Sequence, residues 1–321
     1  MPRLRKILTY TQTNDADAMK PVIDLAERHD AAMTLCDVIS QPPETSGAHP
    51  AVARLHQVSW QNAFDNLRSL REKHKNRASI KTTLLVGEPF LAIMEQVALE
   101  AYDLVAHISA PEYDRGSRGL NPIGMHLARK CPGLVWCLHP GSNQSPRNIV
   151  VAIDRDFSSD NRRSESLVKA LVDTANAVIK PGGVMNLVHV WQPYGEALLN
   201  DQRLGMSAAE TESYISTQQQ EYEAWFESLV EQFSARGTDC EIRSHLLRGP
   251  VAATINQLAQ DVQAELIVMG TIGTSVVPGI LIGMSAEALL SSTQVPVLAV
   301  KAKDFVTPLE LSSTATSLNT L

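Results

Sequence analysis

The fold is decided by the stretch Ile267–Val300, which reads IVMGTIGTSVVPGILIGMSAEALLSSTQVPVLAV. An apolar β-type run ends at Gly270, a second glycine follows at Gly273, and a third, Gly283, precedes a helix-forming sequence and a last β-type run that ends at Val300. The order is therefore strand, glycine loop, helix and strand. Glycine leaves no Cβ between main-chain N–H groups and a ligand, and the start of a helix attracts anions, so such a loop can hold phosphates. Glycines between a strand and a helix also serve turn geometry alone, and the glycines by themselves do not decide between these interpretations.

The same order of elements occurs twice along the chain. In each half, β-type runs alternate with amphipathic helical patterns, and the stretch Pro140–Pro146 (PGSNQSP) separates the halves as a linker. The halves align at four pairs of residues: Ile7 with Ile149, Leu35 with Leu187, Asp103 with Glu265, and Pro132 with Pro296. We therefore predict domains at 1–140 and 147–303, followed by a Ser/Thr-rich flexible tail at 304–321.

Strands that alternate with helices favour right-handed crossovers and a parallel sheet that helices cover on both faces. We predict an α/β fold of two tandem, doubly wound, parallel-sheet domains, with ligands bound beyond the carboxyl ends of the strands. The bounds include a helix over Asp15–His29 and a strand over Asn148–Asp154. The apolar runs Leu134–Leu138 and Val297–Val300 lie at equivalent ends of the repeat, so we expect them to pair and to join the halves as a pseudo-dimer.

Composition excludes several classes of function. A formal net charge of −7 without any basic run disfavours nucleic acid as a partner. No segment approaches the ~18 apolar residues that a membrane span requires, so we expect a cytoplasmic protein. The four cysteines have no C-x-x-C spacing and the nine histidines form no ligand motif, which favours reduced thiols and no metal.

The repeat, the strand ends and the glycine loop together resemble the universal stress protein family, whose Rossmann-like domains are similar to the adenine-nucleotide α-hydrolases. The family's nucleotide-binding pattern is G-x-x-G, nine residues, and then G followed by Ser or Thr. Gly270, Gly273 and Gly283 have that spacing. The resemblance covers both halves and implies ATP or another adenine nucleotide as the ligand.

The resemblance also implies a role for residues at two strand ends. In ATP-binding members an aspartate at the end of the first strand faces the adenine, and a valine at the end of the second packs beside the base; these correspond to Asp154 and Val190. Met284 stands where those members carry a hydroxyl, and the lost hydrogen bond to phosphate would weaken binding by roughly 1.5–3 kcal/mol. Ser285, one residue further, compensates only in part. The implied binding residues are Ala152, Asp154, Val190, Gly270, Gly273, Gly283, Met284 and Ser285.

The first half departs further from the pattern. Gln12 stands where Asp154 stands in the second half, and Ile108 stands where Gly270 stands. The glycines of this half follow a shorter spacing, at Gly116, Gly119 and Gly124, so the nine-residue loop is missing. We predict a degenerate domain that binds no nucleotide.

Two further patterns receive structural interpretations. His189 lies between valines in a strand, which favours a half-buried structural histidine. The helix over Ala208–Arg236 carries an aromatic stripe that predicts packing rather than a ligand box, with Tyr214, Tyr222, Trp225, Phe226 and Phe233 as members.

Three classes of function remain. The first is a stress-response protein that binds an adenine nucleotide and acts through conformation or contact with a protein partner, including self-association. The second is an enzyme, which the missing H-x-G-H and S-G-G-x-D-S motifs disfavour, so we expect no enzyme activity beyond slow ATP hydrolysis. The third is a module without a nucleotide, whose apolar loop 276–282 accepts a hydrophobic ligand or a protein surface.

Overall fold

The computed structural model describes residues 4–42, 49–110, 119–139, 141–142, 144–155, 161–199, 201–236, 239–271 and 282–302. The first half of this described chain contains β1 (Lys6–Thr11), α1 (Lys20–His29), β2 (Ala32–Ile39), α2 (Pro50–His74), β3 (Ile80–Val86), α3 (Pro89–Glu100), β4 (Leu104–Ile108), α4 (Pro122–Lys130) and β5 (Leu134–Leu138). The second half contains β6 (Asn148–Ala152), α5 (Asn161–Val178), β7 (Val184–Trp191), α6 (Ala208–Ser234), β8 (Glu241–Arg248), α7 (Val251–Asp261), β9 (Leu266–Gly270), α8 (Met284–Leu290) and β10 (Val297–Val300). The predicted fold class is confirmed.

All ten strands form one sheet, in the order β3-β2-β1-β4-β5-β10-β9-β6-β7-β8. Neighbouring strands within each half are parallel, as predicted from the alternation of strands and helices. β5 and β10 pair antiparallel, with Trp136 opposite Leu298. The predicted pairing of these two apolar runs is confirmed, and it makes two five-stranded sheets continuous.

The strand registers repeat between the halves. Thr9 lies opposite Leu35 in the first half, and Val151 lies opposite Leu187 in the second. Ile7 lies opposite Leu104, and Ile149 lies opposite Leu266. These are the pairs that the alignment of the two halves requires. The exact domain limits remain a prediction.

The helices cover the sheet in two layers. Apolar residues of α1, α2, α5 and α6 pack into one core cluster, and those of α3, α4, α7 and α8 pack into another. Each cluster contains residues from both halves, such as Leu127 of α4 and Leu289 of α8 on the second face. A fully buried leucine contributes roughly 1.5–3 kcal/mol, so the shared clusters bind the halves together. None of the helices in the described ranges is long and apolar enough to cross a membrane.

Three predicted bounds are wrong. The helix α6 ends at Ser234 instead of Arg236. β6 ends at Ala152, so Asp154 lies two residues beyond the strand instead of within it. α1 begins at Lys20, because Asp17–Met19 forms a separate 3-10 turn and Pro21 occupies the first turn of the helix, where its missing N–H does no harm.

Polar contacts cross between the halves on both faces. The Arg28 guanidinium donates hydrogen bonds to the carbonyl oxygens of Val178 at 2.8 Å and Ile179 at 2.7 Å, at the C-terminus of α5. A cation suits a helix C-terminus because the last carbonyls carry partial negative charge. On the other face, Arg129 of α4 forms an ion pair with Glu287 of α8.

Candidate functional site

The carboxyl ends of β6, β7 and β9 meet at one edge of the sheet. Ala152, the last residue of β6, lies opposite Met269 of β9. Asp154 follows Ala152 by two residues, Gly270 ends β9, and Val190 is the penultimate residue of β7. The structure therefore brings these four predicted site residues to the same edge.

This edge combines an apolar wall with a charged rim. Ala152 and Val190 are half-buried and pack against the core cluster of the α7 and α8 face. Asp154 is exposed, and its charge acts on the phenol of Tyr222, whose pKa is raised mainly by burial. An apolar wall with a carboxylate at its rim suits a flat ring that carries an amino group.

Gly283 begins α8 as its N-cap residue. Its N–H donates to the carbonyl oxygen of Thr271 at 2.9 Å. Its φ of −71° and ψ of 149° are open to any residue, and a Cβ at this position would come no closer than 4.0 Å to the Thr271 oxygen. The backbone angles therefore do not require glycine here, and neither does crowding by the described residues, which favours the interpretation that the glycine serves a ligand.

The start of α8 has no side-chain cap from its N-cap residue. The first N–H groups of a helix have no partner inside it, and Gly283 has no side chain that could accept from them. The next two side chains are exposed, Met284 at 91% and Ser285. This helix start can therefore offer N–H groups and the positive end of the helix dipole to an anion.

The corresponding helix start in the first half is occupied by its own N-cap side chain. Asn121 precedes α4, and its Oδ1 accepts hydrogen bonds from the Gly124 N–H at 2.8 Å and from Nε2 of His107 at 3.0 Å. Its Nδ2 donates to Oε1 of Gln12 at 3.1 Å. Burial lowers the pKa of His107 to about 4, so the ring is neutral and donates from Nε2. The Asn121 amide thus takes the position that an anion would need.

A ring fills the adjacent strand end of the first half. Tyr10 lies opposite His107, in the register position that Ala152 has in the second half. The Tyr10 ring stacks on His107 with centroids 5.3 Å apart and 12° between the planes, and it is 3% exposed. Tyr10 and Asn121 therefore fill the positions in the first half that correspond to Ala152 and to the start of α8, and the absence of nucleotide binding in this half stays a prediction.

Some predicted residues lie outside the described ranges. Gly273 and Gly116 are among them, and so is the apolar loop 276–282 except for its last residue. That residue, Ile282, is 8% exposed and packs in the core cluster of the α7 and α8 face.

His189 is more deeply buried than predicted, at 3% exposure. Its Nδ1 lies 2.9 Å from the carbonyl oxygen of Ile153, and burial lowers its pKa. The rings of Tyr222, Trp225 and Phe226 surround it, with centroids at 5.2, 5.0 and 6.4 Å. The aromatic stripe of α6 thus packs on its own half, as the structural interpretation of both features predicted.

Two residues that the sequence analysis did not single out connect the glycine loop to the first half. Thr271 is fully buried; its carbonyl accepts from Gly283, and its Oγ1 accepts from Nζ of Lys301 at 2.5 Å. The same Nζ donates to the carbonyl oxygen of Ala128 in α4. Burial lowers the pKa of Lys301 to about 7. In sequence, a lysine directly after a strand resembles an ordinary surface residue, so no signal marked it.

Comparison with known proteins agrees with this geometry. Residues 146–301 match the model of the Universal stress protein family. The chain is 28% identical over 210 residues to the Universal stress protein E homolog of Haemophilus influenzae, and the alignment covers 65% of each. It is 25% identical over 228 residues to Universal stress protein E of Escherichia coli K12, covering 70% of this chain and 69% of the relative. The matches thus span about two thirds of these relatives.

Solved structures share the fold across nearly the whole chain. A functionally unknown protein of Pseudomonas aeruginosa PAO1 is 19% identical, with a TM-score of 0.61 and 98% of each chain covered. A universal stress protein of Archaeoglobus fulgidus DSM 4304 is 16% identical, with a TM-score of 0.58, covering 92% of this chain and 98% of the other. Residues 146–301 therefore match the universal stress protein family, and about two thirds of the chain resembles universal stress protein E.

Proposed function

We propose that the second half binds an adenine nucleotide such as ATP at the carboxyl edge of β6, β7 and β9. The adenine lies against Ala152 and Val190, and its amino group donates to Asp154. The phosphates lie on the glycine loop and on the first N–H groups of α8, beside Met284 and Ser285. The observation that carries the proposal is Gly283, a glycine that neither its φ of −71° nor the described residues around it require.

We further propose that the nucleotide acts on conformation or on contact with a protein partner instead of being a substrate. Asp154 is the carboxylate of the proposed site, and it lies at the adenine end of the ligand. It is therefore far from the phosphates, where a general base for hydrolysis would have to act. A path to the first half supports the conformational role. Thr271 binds Gly283 through its carbonyl and Lys301 through its hydroxyl, and Lys301 binds Ala128 of α4.

The affinity we expect is modest. Met284 offers no hydroxyl to a phosphate, and removal of a hydrogen bond to a charged group weakens binding by roughly 1.5–3 kcal/mol. We therefore expect dissociation constants on the order of micromolar or weaker.

Calorimetric titration with ATP tests the site through a variant that copies the first half. Gly283→Asn gives α8 the cap that Asn121 gives α4, so the side chain occupies the N–H groups that phosphate needs. We expect ATP binding at least about tenfold weaker, with thermal stability equal to or above that of the wild type because an asparagine N-cap stabilises a helix.

The control is Gln12→Ala in the first half, where we expect unchanged ATP binding. Gly273→Val, which places a side chain on the glycine loop, should abolish binding. Wild-type affinity in Gly283→Asn, or loss of binding in Gln12→Ala, would reject the proposed site.

A further inference from the structure

A cavity lies in the first half, between the end of β2 and the N-terminal part of α2, and its volume is about 750 Å³. Asp37, Val38 and Ile39 form the wall on the strand side. The wall on the helix side comes from small and polar residues, Ser59, Asn62, Ala63 and Asn66. The volume falls within the usual range of small-molecule sites.

The second half fills the corresponding space with aromatic rings. The repeated registers of β1 with β2 and of β6 with β7 make Asp37 the counterpart of His189. Against His189, α6 places the rings of Tyr222 and Trp225 at centroid distances of 5.2 and 5.0 Å. The fold therefore does not dictate an open space beside this strand position, and a cavity of the second half, about 650 Å³, lies nearer the start of α6, at Ala208, Thr211 and Ile215.

The charge within the cavity is negative. Asp37 is half-buried, and its Oδ1 accepts a hydrogen bond from the Val38 N–H at 2.7 Å. Burial raises the pKa of this carboxyl. None of the described residues that line the cavity is a lysine or an arginine. A half-buried carboxylate without a cation among the described lining residues favours a ligand that brings one, and it disfavours phosphates and other anions.

The remaining lining suits a short carbon chain with a polar end. Nε2 of His56 is buried and has no hydrogen-bond partner among the described residues, so it can exchange a hydrogen bond with a ligand. The amides of Asn62 and Asn66 offer donors and acceptors, while Val52 and Leu55 contribute apolar surface.

We propose that this cavity binds a small organic amine, with a primary ammonium group on a short carbon chain and a hydroxyl or amide at its other end. The ammonium pairs with Asp37, the chain lies on Val52 and Leu55, and the polar end bonds with His56. This site is separate from the nucleotide site, which is in the second half.

Saturation-transfer NMR on the full chain tests the proposal with two matched ligands. The probe is 5-aminopentan-1-ol, and the control ligand is pentane-1,5-diol, which has the same length and polar end without the charge. Both are titrated to concentrations on the order of ten millimolar, where weak binding is measurable. Asp37→Asn removes the carboxylate, Ala63→Phe fills the cavity with a ring, and Asp65→Asn removes an exposed carboxylate of α2 that does not line the cavity.

The amine should bind the wild type and Asp65→Asn equally. We expect Asp37→Asn to bind the amine at least about tenfold more weakly than the wild type does, because an ionic hydrogen bond is lost. The wild type should bind the diol at least about tenfold more weakly than the amine for the same reason. Ala63→Phe should bind the amine at least about tenfold more weakly because its ring fills the space. The proposal fails if the amine does not bind the wild type, if the diol binds the wild type as tightly as the amine does, or if Asp37→Asn keeps the wild-type affinity for the amine. Thermal melting reports whether the variants fold. If Ala63→Phe does not fold, the result for Asp37→Asn alone decides the test.

Discussion

Asp103 and Glu265 hold the first strand of each half in the same way. Oδ2 of Asp103 accepts hydrogen bonds from the main-chain N–H groups of residues 5 and 6, at 2.7 and 3.0 Å. Oε2 of Glu265 accepts from those of residues 147 and 148, at 2.5 and 3.1 Å. Each carboxylate directly precedes the strand that pairs with the first one, so the aligned positions have the same structural role.

Asp103→Ala and Glu265→Ala should each lower the free energy of unfolding by about 1 kcal/mol, because two main-chain donors lose a charged acceptor at a partly exposed position. Chemical denaturation followed by circular dichroism measures both changes. Glu212→Ala, at an exposed position of α6, is the control and should stay within about 0.5 kcal/mol of the wild type. A loss in one of the two variants and none in the other would contradict the shared role.

The buried strands were the most predictable part of the fold. All four residues of β10 are buried and apolar, as expected for a strand covered on both faces, so its bounds follow from the sequence. Helix starts were less predictable. The start of α1 depends on a 3-10 turn at Asp17–Met19, which leaves no mark in the apolar periodicity.

The candidate site of the second half was easier to predict than the side chains that fill the corresponding position in the first half. Gly270, Gly283 and Asp154 stand out because a glycine spacing and a strand end are local features of the sequence. The closure of the first half by Tyr10 and Asn121 depends on which side chains meet across strands and a helix start, about a hundred residues apart. No local motif encodes such a meeting.

Trp136→Ala should weaken the whole chain, since Trp136 lies at the β5–β10 seam opposite Leu298 and is 1% exposed. Loss of a buried tryptophan side chain costs about 3–5 kcal/mol. Because the core clusters contain residues of both halves, we expect a single unfolding transition that moves as a unit in differential scanning calorimetry.

Leu99→Ala is the matched control, at 81% exposure, and should change stability by less than about 0.5 kcal/mol. Separate transitions for the two halves, with only the first shifted by Trp136→Ala, would show that the seam does not couple them.

Gly119→Ala should destabilise the contact between α4 and α8. Gly119 has a φ of +86°, and its N–H donates to the Thr293 carbonyl at 3.0 Å. A Cβ would lie 2.4 Å from the main-chain carbon of Ser291, which cannot move without the end of α8. We expect a loss above about 2 kcal/mol in chemical denaturation, from strain and overlap together.

Gly141→Ala provides the comparison, because no described residue lies within 4 Å of a Cβ at that position. Reduced freedom of the unfolded chain should make this variant neutral or more stable, by up to about 1 kcal/mol. Equal changes in the free energy of unfolding for the two substitutions would mean that the two halves lie further apart at Gly119 than in the structure.

Lys301 should make stability depend on pH. Burial lowers its pKa to about 7 from an ordinary value of 10.5, so between these values the unfolded chain binds the proton and the folded chain does not. The unfolded state therefore binds more protons in this window, and stability rises with pH from 7 towards 10.5. Relative to Lys301→Met, the wild type should gain about 1 kcal/mol per pH unit between about pH 7.5 and 9.

Chemical denaturation of both proteins at several pH values across that window measures the difference in stability. Both proteins carry the same cysteines, so the contribution of the cysteines to the pH dependence cancels in this difference. Below about pH 7 the difference should become flat, since both states are then protonated. Lys169→Met, which removes an exposed lysine paired with Asp173 on α5, is the control for the loss of a surface lysine. A difference between the wild type and Lys301→Met that is constant from pH 7.5 to 9, or that falls as pH rises, would mean that Lys301 is charged and solvated in the folded protein at neutral pH. The link from Thr271 to Ala128 would then not be the buried contact described for the folded chain.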